Sequence, residues 1–473
     1  MYISKIKLEN FKSFVEKHEI NLKPGINYFV GNNNSGKTSL FQAIEFIVLG
    51  KTKELFITKN SSKDVTVEIE LEEVNSENLP EKYVNYVNDG KLVLKRSSKD
   101  EVVKQGNKNV NLNIKTCQAW NPETNQFENP FGSGNVVSEI FEPQFIYADL
   151  HNEELQDFGS TKPIGKLINS ITSDFQKSDE FQKFKKSHDE TFGDEGILGE
   201  LSETENKINN KITEQFGESK IEFNFTFPKV SDFLKNGTID ITENDIKTSA
   251  NEKGNGLQRA LALAILQIIS ESNSKVEASQ MQFCIDEPEI YLHPLAQDKL
   301  MNSLKELGSQ IFVTTHSPYI LRHFRNEEKD SVTILSADIK NRLTKMSTLI
   351  FSIPSIGEIT YRAFGVPTID FHQQLFSDLY LKWINEKVEG NKGLSGFDKD
   401  FLSQQIGVTS QKFIPRNMGK WNDEEPRSLS YIVRNMIDHP KVLEDEKNIW
   451  TEEKLMKSIQ EMIAIYENKN NSN

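Results

Sequence analysis

Apolar and polar residues alternate along several short segments near the start of the chain. Residues 2–8 (YISKIKL), 65–73 (VTVEIELEE) and 91–95 (KLVLK) repeat with a period of two, as does the segment EINLKP. This spacing is typical of strands that bury one face. INYFV at 26–30 predicts a further strand, and together these segments predict a β-rich lobe over about the first 145 residues.

Helix and strand patterns follow one another farther along. LQRALALAILQIIS at 257–270 is apolar nearly all round and predicts a buried helix. QFCIDE at 282–287 and QIFVTTH at 310–316 predict strands after it, and this order is the one that a parallel α/β sheet requires. KIEFNFTF at 220–227 and GTIDITE at 237–243 predict additional strands.

Beyond about residue 350 the pattern predicts helices without obvious strands. The last helix is expected to begin near Thr451, with an apolar face of Leu455, Ile459, Met462 and Ile463. The region from Gly365 onward, about 100 residues, is long enough to form a helical domain of its own.

Composition narrows the class of protein. The 473 residues include 56 Lys and Arg against 70 Asp and Glu, a net charge of -14, which is unlike a protein that coats nucleic acid. No run approaches the ~20 apolar residues of a membrane span. Cys117 and Cys284 lie far apart, without Cys or His at metal-ligand spacing. We expect a cytoplasmic protein without membrane contact, disulfide framework or zinc site.

A glycine-bearing loop lies between a predicted strand and a predicted helix. Residues 31–38 (GNNNSGKT) fit G-x-x-x-x-G-K-[ST], whose curled backbone presents N–H groups to phosphate oxygens. Lys37 would span the β- and γ-phosphates of ATP, and the Thr38 hydroxyl would bind Mg²⁺. A plain Gly- and Asn-rich turn is the alternative. The predicted nucleotide-binding residues here are Gly31, Asn32, Asn33, Asn34, Ser35, Gly36, Lys37, Thr38 and Ser39.

Two carboxylates end the apolar strand at 282–287. Asp286 is predicted to hold Mg²⁺ through a water, and Glu287 to orient and partly deprotonate the attacking water. Two acids that end a strand and face solvent are the alternative. His316, in VTTHSP, ends the next strand, where a neutral imidazole could contact the γ-phosphate.

Residues 253–258 (KGNGLQ) lie at the start of the predicted buried helix. The N-terminus of this helix is a second place where backbone N–H groups could bind an anion. One nucleotide does not need two such loops from one subunit, whereas two copies arranged head to tail do. The alternative is a helix start with glycines for packing.

Five motifs in this order resemble those of the ABC-type ATPases of the RecF, SMC and OLD group: IKLENFKSF, GNNNSGKTSL, GNGLQRALALA, CIDEPEIYLHP and VTTHSP. The likeness is greatest to the compact AAA-family ATPase subunits of bacterial antiphage systems of the Septu, PARIS and Gabija type. It implies an α/β fold, namely an ABC-type P-loop ATPase head with a mixed or parallel sheet and a β-rich N-terminal lobe, plus a C-terminal α-helical domain. The implied segments are an N-terminal ATPase lobe at 1–145, an insertion at 146–245, a C-terminal ATPase lobe at 246–350 and the helical domain at 365–473.

The resemblance also implies roles for individual residues. Gly254 to Gln258 would be the signature loop acting in trans, with Asn255, Gly256 and Gln258 at the nucleotide, although Asn255 stands where the signature usually has Ser. Glu289 to Pro294 would form the D-loop region at the dimer seam. His316 would be the switch histidine, and Gln144 the Q-loop glutamine.

The leading functional hypothesis is a Mg²⁺-dependent ATPase that works between head-to-tail copies, in a homodimer or a higher oligomer, as the sensor or scaffold of an antiphage complex. The nuclease would be a separate protein, and contact with DNA or RNA is left open. A TOPRIM nuclease site is rejected, because Glu389 and the pair Asp398 and Asp400 lie too close together. One alternative is a ribonuclease toxin, since Arg434, Asn435 and His439 resemble the HEPN motif, although Pro440 follows directly. The other is a DNA-repair ATPase of RecF type.

Overall fold

The structure is a computed structural model. It describes residues 1–50, 53–58, 62–130, 137, 140, 142–147, 172, 175–193, 195–217, 221–223, 227–228, 233, 237–243, 245–258, 260–261, 264–265, 268, 281–324, 328–336, 343–346, 349–351, 355–386, 392–405, 407–413, 416–417, 420–421, 425–438 and 451–470.

The described strands are β1 Tyr2–Glu9, β2 His18–Asn21, β3 Ile26–Gly31, β4 Thr66–Glu72, β5 Leu92–Ser97, β6 Glu101–Gln105, β7 Lys108–Leu112, β8 Gln118–Asn121, β9 Gln126–Glu128, β10 Glu142–Ile146, β11 Asp240–Glu243, β12 Ile246–Ser249, β13 Met281–Asp286, β14 Gln310–Thr315, β15 Ser331–Leu335, β16 Leu343–Lys345, β17 Ser410–Phe413, β18 Arg416–Asn417, β19 Lys420–Trp421 and β20 Glu425–Ser428.

The described α-helices are α1 Lys37–Leu49, α2 Glu81–Val84, α3 Asp179–Phe192, α4 Ile197–Phe216, α5 Pro294–Glu306, α6 Pro318–Leu321, α7 Ile356–Phe364, α8 Ile369–Glu386, α9 Leu394–Asp400, α10 Leu429–Asp438 and α11 Glu452–Asn470. Short 3₁₀ turns lie at Lys53–Leu55, Ser76–Asn78, Phe175–Lys177, Ala250–Glu252 and Leu402–Gln404.

The chain forms two compact units. One comprises Met1–Ile146 with Gln280–Asn473, and the other comprises Tyr147–Ser279. The predicted division into four segments stays a prediction.

Two six-stranded sheets build the first unit. An antiparallel sheet has the order β2-β1-β4-β5-β8-β9, and a mostly parallel sheet has the order β10-β13-β14-β3-β15-β16. In the second sheet β14 pairs in parallel with both β13 and β3, so the carboxyl ends of these three strands meet at one edge. Gly31, Asp286 and His316 follow or end these strands and therefore lie at that edge.

Helix α1 packs between the sheets, against β4 and β5 of one and β3 and β10 of the other. Leu40, Ile44 and Ile47, whose spacing is that of one helix face, are all buried. At its C-terminal end the guanidinium of Arg96 donates to the carbonyl of Ile47 from Nε and Nη2, at 3.0 and 2.8 Å, and to the carbonyl of Ile114 from Nη1, at 2.9 Å. Arg96 is fully buried. The last turn of α1 is thus closed by a side chain from β5.

The C-terminal part of the first unit is mainly helical. Helices α8, α10 and α11 pack around a common apolar core, and Leu455, Ile459, Met462 and Ile463 are buried there as predicted. The expectation of helices without strands is wrong in detail, because β17 pairs with β20 and β18 with β19. These strands have only two to four residues, too short for a period-two pattern to show.

The second unit contains α3, α4 and the hairpin of β11 and β12. The strand predicted at 220–227 is absent from its described residues 221–223, since Ile221 bonds through its main chain to the side chain of Asn209 on α4 instead of to another strand. In the predicted buried helix, Ile265 is buried, but Leu257 and Ile268 are 37% and 46% exposed. At these described positions the prediction of a helix buried nearly all round is therefore wrong.

Candidate nucleotide-binding site

The loop that follows β3 adopts the backbone conformation its sequence predicts. Gly31 has φ of 154° and Gly36 has φ of 97°, both in the region that favours glycine, and Asn34 has φ of 64°. A Cβ on Gly31 would lie 2.2 Å from the carbonyl oxygen of Leu335. The curled loop thus needs glycine at its first position. Asn32, Asn33 and Asn34 are exposed, whereas Ser35 is buried.

Lys37 is held in place by the loop that it follows. Its Nζ donates to the carbonyls of Gly31 and Asn32, at 3.0 and 3.2 Å, and lies 2.7 Å from Nε2 of His316. An ammonium group only donates, so in this contact the imidazole nitrogen accepts. Burial lowers the pKa of Lys37, against the opposing charges of Glu287, Asp286 and Glu289. A cation is thus fixed at the start of α1, where phosphate oxygens would lie.

Thr38 and Asp286 meet across the sheet edge. Thr38 Oγ1 lies 3.0 Å from Oδ2 of Asp286, and Thr314 on β14 donates its hydroxyl to Oδ1 of the same carboxylate. Hydroxyl and carboxylate oxygens are the hard ligands that Mg²⁺ prefers. The residues present therefore fit the predicted Mg²⁺ site. Within the described part of the chain, no three His, Cys, Asp or Glu side chains cluster as a metal site of their own.

The backbone turns sharply after Asp286. Glu287 has φ of 45°, in the left-handed region that costs a non-glycine residue about 1–2 kcal/mol, and its N–H donates to the carbonyl and hydroxyl of Thr314. Consecutive residues of a strand point to opposite faces. This turn lets the second carboxylate approach the same site as the first, and Oε1 of Glu287 lies 3.3 Å from Nε2 of His316.

A cavity of about 490 Å³ lies beside the loop. Its lining comprises Lys12, Ser13, Asn33, Asn34, Ser35, Gly36, Lys37, Thr38, Ser39 and Glu287. Lys12 and Ser13 were not predicted. They belong to the turn between β1 and β2, and only the docking of the two sheets brings that turn to the loop. A Lys-Ser pair in the short turn that follows the first alternating strand is the signal that could have suggested them.

The remaining predicted site residues belong to β10 and to the second unit. Gln144 on β10 pairs in register with Phe283, three residues before Asp286, which is about 10 Å from the strand end at ~3.3 Å per residue. In the second unit, the helix starts at Asn255, which is exposed. Gln258 is buried and donates to the carbonyls of Asn251 and Lys253, so it supports its own loop. The roles assigned to Gln144, Asn255, Gly256 and Gln258 stay predictions.

The C-terminal candidates are only partly described. Arg434 forms an ion pair with Asp438 at 2.6 Å, one turn along α10, and Asn435 donates to the carbonyl of Tyr431. His439 and Glu389 lie outside the described residues. Asp398 lies in helix α9, is buried, and bonds to Arg427 and Ser428.

A family model described as an AAA ATPase domain matches residues 1–321, about two thirds of the chain. The chain belongs to this ATPase family. The matched residues include the phosphate loop, both carboxylates at the end of β13, and His316. The resemblance to the ABC-type ATPases of the RecF, SMC and OLD group is thereby confirmed, as is the predicted fold class of an α/β P-loop head with a C-terminal helical part.

Two curated relatives carry the OLD name. This ATPase is 26% identical to the Old nuclease of Escherichia phage P2 over 345 residues, which cover 67% of this chain and 57% of the relative. It is 22% identical to the OLD nuclease of Thermus scotoductus over 362 residues, which cover 70% of this chain and 63% of the relative. The chain thus spans about three fifths of the length of these relatives.

A crystal structure of an Smc head bound to the C-terminal winged-helix domain of ScpA is 16% identical, with a TM-score of 0.42, and the alignment covers 73% of this ATPase and 98% of that chain. In the described parts of this ATPase, no helix has the length and apolar character to cross a bilayer.

Proposed function

We propose that this protein hydrolyses ATP with Mg²⁺ at a site shared by two copies arranged head to tail, as the sensor or scaffold subunit of a bacterial antiphage complex whose nuclease is a separate protein. One observation carries the catalytic part of the proposal. The side chains of Lys37, Thr38, Asp286, Glu287 and His316, from three separate segments, converge beside the phosphate loop.

Each side chain has a distinct chemical task in this proposal. Lys37 neutralises charge on the β- and γ-phosphates. Thr38 and Asp286 would hold Mg²⁺, which would neutralise further phosphate charge when bound. Glu287 is the general base that orients the attacking water, and the neutral imidazole of His316 contacts the γ-phosphate. The loop at 254–258 of one copy completes the site of the other.

The place in defence rests on the resemblance to the ATPase subunits of antiphage systems. The OLD relatives are named as nucleases, which supports a link to nucleic-acid cleavage. A nuclease within this chain is not favoured by the described residues. Asp398 lies in α9 and forms a buried ion pair with Arg427 on β20. Arg434 forms an ion pair with Asp438. The partner nuclease would then supply the cleavage.

Steady-state ATP hydrolysis and ATP binding by the purified protein test the catalytic proposal. Lys37→Ala should lose nucleotide binding, whereas Glu287→Gln should bind ATP normally and turn over at least about 100-fold more slowly. Matched controls are Lys91→Ala and Glu72→Gln, which break a surface ion pair of 2.7 Å. Normal turnover by Glu287→Gln at equal occupancy would contradict the assignment. Copurification with a nuclease encoded next to the gene tests the role in defence.

A further inference from the structure

The switch histidine proposed above is anchored through its main chain. Oε1 of Glu289 accepts a hydrogen bond from the His316 N–H at 2.6 Å and another from the Thr315 hydroxyl at 2.8 Å. Glu289 itself lies in the turn that follows Glu287, where its carbonyl accepts from the N–H of Leu292 at 2.9 Å. One carboxylate thus joins the turn after β13 to the end of β14.

A second link joins the same two segments. Gln297 donates its amide to the carbonyl of Leu292 at 2.9 Å and accepts from the hydroxyl of Ser317 at 2.7 Å. Both neighbours of His316 in the chain are therefore bonded to residues that follow Glu287. The segment at 315–317 and the turn at 289–292 form one hydrogen-bonded block.

The imidazole of His316 depends on this block for its position. Its side chain is 33% exposed, so packing does not hold the ring on every side. Its Nε2 nevertheless lies within 2.7 Å of Lys37 Nζ and 3.3 Å of Glu287 Oε1. The placement of its main chain, which Glu289 bonds directly, then decides whether the ring reaches both groups.

We infer that Glu289 is a positioning residue for His316, so that its carboxylate sets the distance between the imidazole and the reacting phosphate. The contact of His316 with the γ-phosphate is taken from the proposed function, whereas the hydrogen bonds from Thr315 and His316 to Glu289 are independent of it. Glu289 makes no hydrogen bond to Lys37 or Thr38 in the described contacts and acts on Lys37 only through its charge, so it should influence turnover more than the binding of ATP. The other carboxylate oxygen, Oε2, is buried and has no hydrogen-bond partner among the described residues.

The conservative variant separates the hydrogen bonds from the charge. The amide oxygen of Glu289→Gln can accept both hydrogen bonds, so kcat should stay within about threefold of wild type. Glu289→Ala loses both bonds, and we expect roughly 10- to 100-fold lower kcat, the scale of an ångström-sized misplacement. KM for ATP should change less than threefold. Glu358→Ala is the matched control, because Glu358 is also buried and accepts a main-chain N–H, that of Ile350, away from the site; it should keep kcat.

A double variant shows whether Glu289 acts through His316. In a His316→Ala background, Glu289→Ala should cause no further loss of kcat. Equal kcat in wild type and a folded Glu289→Ala variant, or fully additive losses in the double variant, would overturn the inference. If Glu289→Ala does not fold, Glu289→Asp replaces it, because its shorter side chain should also lower kcat. A wild-type kcat in Glu289→Asp would then overturn the inference.

Amide hydrogen exchange judges the geometry independently of turnover. In Glu289→Ala, the peptide that contains residues 314–318 should exchange at least tenfold faster than in wild type or Glu358→Ala. Unchanged exchange would overturn the inference even if the protein hydrolyses ATP. Absence of hydrolysis by wild type would instead defeat the proposed function and leave faster exchange as support for the anchor.

Discussion

Replacement of Arg96 by Met tests whether the C-terminal end of α1 depends on a side chain from the neighbouring sheet. Arg96 is buried and gives three hydrogen bonds to the carbonyls of Ile47 and Ile114. Ile47 is one of the last four residues of α1, whose carbonyls have no partner within the helix. Met keeps the length and apolar stem of the side chain but leaves both carbonyls without this donor.

The expected cost follows from the two carbonyls. A buried polar group without its partner costs about 1–3 kcal/mol, and the relief from burying a guanidinium offsets part of the sum. We expect a loss of about 3 kcal/mol in the free energy of unfolding. At ~2 °C per kcal/mol for a large domain, Tm should fall by about 6 °C. ATP affinity of the folded protein should not change, because Lys37 lies at the other end of a helix about 20 Å long.

Urea unfolding monitored by circular dichroism measures the loss, and a nucleotide-binding titration monitors the site. The matched control is Arg434→Met, which removes a partly exposed ion pair with Asp438 and should cost no more than ~1 kcal/mol. An Arg96→Met protein within 1 kcal/mol of wild type would show that the buried guanidinium does not stabilise the end of α1.

Three further outcomes can be measured. Burial lowers the pKa of His372 to about 3. Below the ordinary histidine pKa of ~6.5 the unfolded chain therefore binds more protons than the folded one, and the free energy of unfolding falls as the pH falls. Between pH 6.5 and 4.5, His372→Gln should lose roughly 2–3 kcal/mol less of this free energy than wild type in denaturant titrations, and equal losses would refute the reasoning. Gly31→Ala should abolish ATP binding because its Cβ meets a backbone carbonyl, whereas Gly106→Ala, with open space around it, should bind normally; normal binding by both would contradict the steric argument. Mixed dimers of Gly256→Asp and Lys37→Ala should regain one working site, and no regain in dimers shown to form would exclude a shared site.

The residues of the sheet edge could be predicted because their local signals are strong. Alternation in β1 and β4 indicates one buried face, and Asp286 and Glu287 stand at the end of an apolar run whose length is that of a buried strand. The phosphate loop was recognised because its glycines have a defined backbone task. In each case the signal lies within about ten consecutive residues.

Other contacts join residues far apart in the chain and leave no local pattern. Lys12 reaches the cavity only because the two sheets pack together. Arg96 lies in an alternating strand, and nothing in the sequence marks it as a buried residue. Glu289 forms a hydrogen bond with a residue 27 positions later. The turn at Glu287 is also unforeseen, because a left-handed conformation of glutamate has no signature in the sequence. Long-range partners are the part that sequence patterns miss.

The position of β3 in the sheet has a consequence for how the protein is made. β3 is buried at all six positions, between β14 and β15, and both neighbours are synthesised about 280 residues or more after it. At ~5–20 residues per second, the ribosome needs about 15–60 s to deliver them. During this interval neither edge of β3 has its final partner, and an unpaired strand edge invites pairing with other chains. The capacity to bind a nucleotide is thus acquired late in translation, and a chaperone that shields β3 on the ribosome would protect the phosphate loop before it can work.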